Sequence, residues 1–276
     1  LLKVELGIVD PQTGTVAVTG KPGASVQLQD KDGKPLGSAV VLNDQGKGVI
    51  QVPSSLGGER VQAVQTFKQA TSPVSEATAV PPLKPVLGVI DAQKNELPVT
   101  GKPGATVQLL DKDKKPLGAP VTLDSQGKGV LSIPPAVGGQ LVSVVQKING
   151  QESLPSDALT VPLLAPTLAV DANKGELVVT GKPNGSVQLL DADNKPVGAL
   201  VTLNAQGQGV IKLAHSQGGE PIGVIAREAG VSSAIAKIDV PLLKPVFDKV
   251  DALTGRVTVE GKPESTVRIN NADGTF

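Results

Sequence analysis

Cysteine, methionine, tryptophan and tyrosine are absent from the 276 residues, histidine occurs once and phenylalanine three times. Without cysteine there is no thiol nucleophile, no thiolate metal or iron–sulfur site and no disulfide framework. Any histidine-based triad would have to rest on His215, the single imidazole. Acidic and basic residues balance at 26 each, so the basic surplus that draws a chain to nucleic acid or to an anionic membrane is missing. No apolar run approaches the roughly 18 residues of a membrane-spanning helix, and no leader pattern opens the sequence. Neither nucleic acid nor membrane insertion is therefore expected of this segment. Glycine and proline, 32 and 23 residues, make up about a fifth of the chain, below the roughly 25–30% that marks low-complexity disorder. What is present is aliphatic. A hydrophobic content of 39%, mostly Val, Leu and Ala, is enough for packed cores that hold almost no rings.

The chain repeats itself. Gly20-Lys21-Pro22 returns at Gly101, Gly181 and Gly261, at steps of 81, 80 and 80 residues, with an aspartate ten residues upstream each time: Asp10, Asp91, Asp171 and Asp251. Gln45-Gly46-Lys47-Gly48 recurs at Gln126 and, as Gln-Gly-Gln-Gly, at Gln206; Gly57-Gly58 recurs at Gly138 and Gly218. A period near 80 exceeds that of a solenoid unit and suits small domains with a core each. The expected division is residues 1–82, 83–163, 164–243 and the N-terminal part of a fourth repeat at 244–276, a fragment with too few strands to fold alone. Between them lie Val80-Pro81-Pro82-Leu83-Lys84-Pro85, Val161-Pro162-Leu163-Leu164-Ala165-Pro166 and Val240-Pro241-Leu242-Leu243-Lys244-Pro245. Such prolines exclude helix and bias the backbone to extended form. The Leu pairs read either as an apolar washer between domains or as the end of one strand and the start of the next.

Within the second repeat, apolar runs at 86–90, 96–100, 105–110, 121–123, 130–133 and 141–147, then one from about Leu159, are separated by turn residues. Asn149-Gly150 signals a hairpin because both residues accept positive φ. Period-two alternation, as in Val26-Gln27-Leu28-Gln29, marks strands with one wet face. About seven short strands per repeat predict an all-β fold: tandem immunoglobulin-like antiparallel β-sandwiches of Greek-key type in an elongated array.

The stretch Val99-Thr100-Gly101-Lys102-Pro103-Gly104-Ala105-Thr106-Val107, followed by the Asp111 hairpin, resembles bacterial Ig-like repeats of large surface adhesins and biofilm-associated proteins. Val18 to Val26 matches as well; Val179 to Val187 and Val259 to Val267 match less closely. The resemblance implies stalk or spacer repeats of a cell-surface or secreted bacterial adhesin, serving attachment or biofilm formation. It implies no catalysis and an extracellular location. The partners are then neighbouring repeats, with any receptor-binding tip outside this segment. Two alternatives are a subunit of a self-assembling filament or matrix fibre, touching other copies of itself, and an accessory region of a secreted enzyme.

Calcium is the one cofactor the pattern raises, through Asp10, Asp91, Asp171 and Asp251 just after the linkers. Calcium takes about six to eight oxygen ligands, and one recurring aspartate per junction equally reads as a turn opened by its side chain. Asp30-Lys31-Asp32-Gly33 and its counterparts at Asp111 and Asp191 imitate an EF-hand start, but lack the closing glutamate and the flanking helices. They read as hairpin turns, and as poor glycosidase carboxylates. The Gly-rich pieces lie between expected strands, not before a helix, so they are turns and not phosphate cradles. His215, Phe67, Phe247 and Phe276 have no counterparts in phase. Without Trp or Tyr, no ring is available for a sugar face to stack on in the usual way.

Overall fold

The computed structural model describes residues 1–270; the end of the fourth repeat, Phe276 included, lies outside the described residues. Among the described residues the regular elements are strands and three short 3-10 turns, with no α-helix. The chain forms two compact units. One comprises Leu1–Ile90, Glu96–Ile133 and Gln140–Thr160; the other comprises Asp91–Asn95, Pro134–Gly139 and the described residues from Val161 onward.

In the first unit, residues of the first repeat build two antiparallel sheets. One orders the strands Glu5–Asp10, Thr15–Thr19 and Lys47–Gln51. The other orders Pro35–Val41, Ser25–Gln29 and Arg60–Phe67, with Ala70–Thr71 and Thr78–Ala79 both paired to Arg60–Phe67. Alternation decides which side chains meet. Val16, Val18 and Ile50 from one sheet face Val26, Leu28, Val61 and Ala63 from the other in a single buried aliphatic cluster. The chain changes sheets after its second, fourth and fifth strands, which is an immunoglobulin-like Greek-key sandwich. The second repeat pairs Val86–Leu87, Glu96–Thr100 and Lys128–Ser132 in one sheet. Its other sheet holds Pro116–Thr122, Thr106–Leu110 and Leu141–Ile148, the last pairing with Gln151–Glu152 and Leu159–Thr160.

In the second unit the third repeat repeats the plan. Thr167–Asp171, Glu176–Thr180 and Gln208–Lys212 form one sheet; Pro196–Thr202, Ser186–Leu190 and Pro221–Glu228 form the other, with Val231–Ser232 and Ala236–Asp239 on Pro221–Glu228. The fourth repeat contributes one hairpin, Val246–Asp251 with Arg256–Glu260. The all-β sandwich expected from strand count and turn spacing is the fold observed.

Three details depart from the sequence expectation. The strand expected over 86–90 shrinks to Val86–Leu87, because Pro98 opposite it has no N–H to donate. The strand expected at 121–123 begins at Pro116. A register shift and the positive φ of Gly118 (64°) break the period of two there, so alternation could not reveal it. The 3-10 turns Ser54–Leu56, Pro135–Val137 and His215–Gln217 are too short for a period to show.

The repeats also differ by one residue in the first strand. The first, second and fourth repeats carry one residue more than the third between the linker and Gly-Lys-Pro: Val4 to Pro22, Pro85 to Pro103 and Pro245 to Pro263, against Pro166 to Pro183. In the first and fourth repeats the extra residue forms a bulge in the first strand, between Leu6 and Val9 and between Phe247 and Val250. The third pairs without interruption from Thr167 to Asp171.

Candidate functional site

The recurring aspartates open turns. Asp10 accepts the Gln12 N–H at 2.8 Å and the Thr13 hydroxyl at 2.9 Å. Asp91 accepts the N–H groups of Gln93 and Lys94 at 3.0 and 3.1 Å, and Asp171 those of Asn173 and Lys174 at 3.1 and 3.2 Å. Asp251 accepts the Leu253 N–H at 2.9 Å and the Thr254 hydroxyl at 2.6 Å. At Asp10, Asp171 and Asp251 these bonds favour the charged form. The Gln12 N–H, then the Thr13 hydroxyl, hold Asp10 below the ordinary carboxylate range; the Lys174 N–H does so for Asp171, and the Thr254 hydroxyl for Asp251. Lys94 and Lys174 place their ammonium groups 3.8 and 3.4 Å from Asp91 and Asp171. Among the described residues no three acidic or histidine side chains converge as a metal-binding group. The further carboxylates that a calcium shell would draw on are not brought to these four.

Asp30, Asp111 and Asp191 likewise each accept two backbone N–H groups, two and four residues on, at 2.8–2.9 Å. They are hairpin turns. His215 stands at the start of a 3-10 turn, with Nε2 3.3 Å from the Lys244 carbonyl. Gly46, Gly127 and Gly207 are fixed by space as well as by φ (72°, 73° and 75°): a Cβ on each would lie 2.2–2.3 Å from the carbonyl oxygen of Gly20, Gly101 or Gly181.

The arrangement that recurs with chemistry attached is the linker. Of each Leu pair, or of Pro82-Leu83 in the first, the second member is buried: Leu83 belongs to the core cluster of the first repeat and Leu243 to that of the third. The linker therefore seals the repeat it leaves. In the first unit the following repeat grips it from the other side. Gln146, 0% exposed, accepts the Lys102 N–H at 2.9 Å and donates Nε2 to the Leu83 carbonyl at 2.6 Å. Gln65 makes the same pair of bonds to the Lys21 N–H and the Leu2 carbonyl, both at 2.8 Å. The third repeat has Ala226 at this position.

A second contact joins successive repeats. Lys102 of the Gly-Lys-Pro turn sets Nζ against the carboxylate of Glu59, just past Gly57-Gly58. Ile148 lies over the same glycines; a Cβ on Gly57 would come within 2.9 Å of its Cδ1. In the second unit, Lys262 reaches the Gly218 carbonyl and Glu220, the latter at 2.6 Å. Lys182 there pairs with Glu228 of its own repeat at 2.6 Å. The second unit also ties its linker at Asn95, which has positive φ (58°) and donates Nδ2 to the Ala165 carbonyl at 2.9 Å.

Sequence reasoning took these glycines as turns and passed over Gln65 and Gln146. The signal for the glutamines was present. Each is the third member of an inward series, Val61-Ala63-Gln65 and Val142-Val144-Gln146, and a polar side chain in core phase requires partners.

No family model matches the sequence, and no curated protein matches it. Solved structures do show likeness. A tetra-tandem repeat in the extending region of a large adhesion protein aligns at 17% identity over 99% of this chain and 89% of that one, with a TM-score of 0.24. The BSP domain of a biofilm-associated protein aligns at 14% over 87% and 65%, TM-score 0.27. The FN1–FN3 domains of chicken CNTN1 align at 14% over 87% and 98%, TM-score 0.25. Superpositions this loose carry no argument, and the sandwich assignment stands on the strand pairings themselves.

Proposed function

We propose that the chain is a run of structural spacer repeats from a surface or secreted adhesin, with repeats at 1–82, 83–163, 164–243 and from 244 onward. One observation carries the reading. The first linker is held on both sides, by the core it leaves through Leu83 and by the repeat it enters through Gln146. Such a joint transmits load between repeats and restrains their angle. The recurring polar side chains form turns and joints, and none of the in-phase groups is poised as nucleophile, acid or base. On this reading the work is mechanical and extracellular, in attachment or biofilm formation, with no catalytic step.

Small-angle scattering with sedimentation tests it. A monomer whose length grows by about 35–40 Å per repeat, as strands of this length allow, supports the spacer. Growth of the particle with concentration would instead favour a self-assembling filament and overturn the reading.

A further inference from the structure

The chain enters each repeat at its first strand and leaves from its last. Tension applied through the chain therefore loads those two strands before any others, and forced unfolding follows the unfolding rate they set. The three repeats hold them unequally. In the third, the first strand pairs at five positions, Thr167 to Asp171, and the last at four, Ala236 to Asp239. In the first repeat the first strand pairs at four positions around its bulge, and the last at two. In the second repeat the first strand pairs at Val86 and Leu87 and returns only as a single bridge at Asp91, and the last pairs at two positions, Leu159 and Thr160.

The causes are local. Pro98 occupies the second strand of the second repeat where Ala17 and Val178 stand in the others, so a donor to the first strand is lost. Gly88 still donates its N–H to the Pro98 carbonyl at 2.8 Å, but Pro98 returns none and residues 88–90 carry no strand pairing. At the other end, Ser153 and Ser156 stand in for part of the last strand, their hydroxyls accepting the N–H groups of Gln146 and Val144. Ser72 and Ser75 do the same in the first repeat. The third has Ala236 at the second of these positions, and the strand runs through it.

From these pairings we infer that the array is ordered by force, with the second repeat yielding first and the third last. The use of that order, as a sacrificial extension protecting the rest of a loaded tether, rests on the spacer reading; the order itself does not.

The test is single-molecule stretching of the full chain. Each unfolding repeat releases about 80 residues, roughly 260–290 Å of extended chain, so events can be counted. Pro98→Ala gives the second repeat the residue of the first, and is expected to slow the weakest event about three- to tenfold at a fixed load. Val178→Pro is expected to weaken the strongest event by a similar factor. A weakest event unmoved by Pro98→Ala, or a strongest event unmoved by Val178→Pro, overturns the order. Should Val178→Pro prevent the third repeat from folding, two events replace three and Pro98→Ala decides alone. The expected order in a protein that sedimented as a filament would uphold this inference while removing the spacer reading.

Discussion

Replacing Gln146 with alanine removes the strap between a linker and the repeat it enters. The carboxamide is fully enclosed and makes two bonds, to the Lys102 N–H and the Leu83 carbonyl. Alanine strands both partners. A buried polar group left without a partner costs about 1–3 kcal/mol, so the pair sets a range of about 2–6 kcal/mol. Water entering the vacated space satisfies part of this and moves the expectation to the lower half, about 2–3 kcal/mol. A repeat of this size has about 4–12 kcal/mol in all, so the loss is a large share of it. Hydrogen exchange on the full chain reads the effect locally. The Lys102 amide should exchange about thirtyfold faster or more, since 2 kcal/mol is a factor of about 30. The Lys21 amide, still held by Gln65 at 2.8 Å, serves as the internal control. An unchanged Lys102 rate with an unchanged second-repeat melting transition would refute the strap.

Four further outcomes follow from the turns. Gly127→Ala puts a Cβ 2.2 Å from the Gly101 carbonyl oxygen at φ 73° and should cost upwards of about 3 kcal/mol. Gly118→Ala, whose nearest neighbour would be 3.9 Å away, should cost only about 1 kcal/mol; equal melting shifts would contradict the steric account. The hairpin at Lys68-Gln69 adopts φ of 47° and 66°, as Asn149-Gly150 does with 49° and 83°. Gln69→Gly should therefore raise stability by about 0.5–1 kcal/mol in urea denaturation, and a loss would count against strain at this positive φ. Asp10, Asp171 and Asp251 are held below the ordinary carboxylate range when folded. Their contribution is full above the unfolded value near about 4 and is lost as pH falls through the lower folded value. Amide resonances of Gln12, Lys174 and Leu253 should move only in that acid window. Millimolar calcium should leave Tm unchanged, and a rise would show that these carboxylates bind the ion.

The sandwich was legible because its evidence is redundant. Val26, Leu28, Val61 and Val142 declare their faces by alternation, and Asn149-Gly150, Asp111 and Gly127 mark the turns between. What stayed hidden lies where the period of two fails. Pro98 shortens Val86–Leu87 from the opposite strand, and Gly118 bends the start of Pro116–Thr122. The joints were hidden for a different reason. Leu83 and Gln146 are 63 residues apart, and nothing local says that one grips the other. The spacing was visible, but that the third repeat runs its first strand without a bulge needed the register.

The third repeat departs from the first two in how its ends are paired. Lys3–Glu76 and Lys84–Asp157 pair at 2.8 and 3.0 Å, where the third repeat has Ala165 and Lys237. Gln65 and Gln146 give way to Ala226, and Phe67 and Ile148 to Glu228, which takes Lys182 as its partner. The extra residue in the first strand is gone, and the serine-bearing last strand becomes a continuous one. The Asx turns, the Gly-Lys-Pro turn and the glycine of Gly207 remain. These changes fall on the first and last strands, the linker and the strand Pro221–Glu228 beside it, while the pairing order of the two sheets is kept. The ends of a repeat can therefore gain or lose strand pairs without altering how the repeat folds.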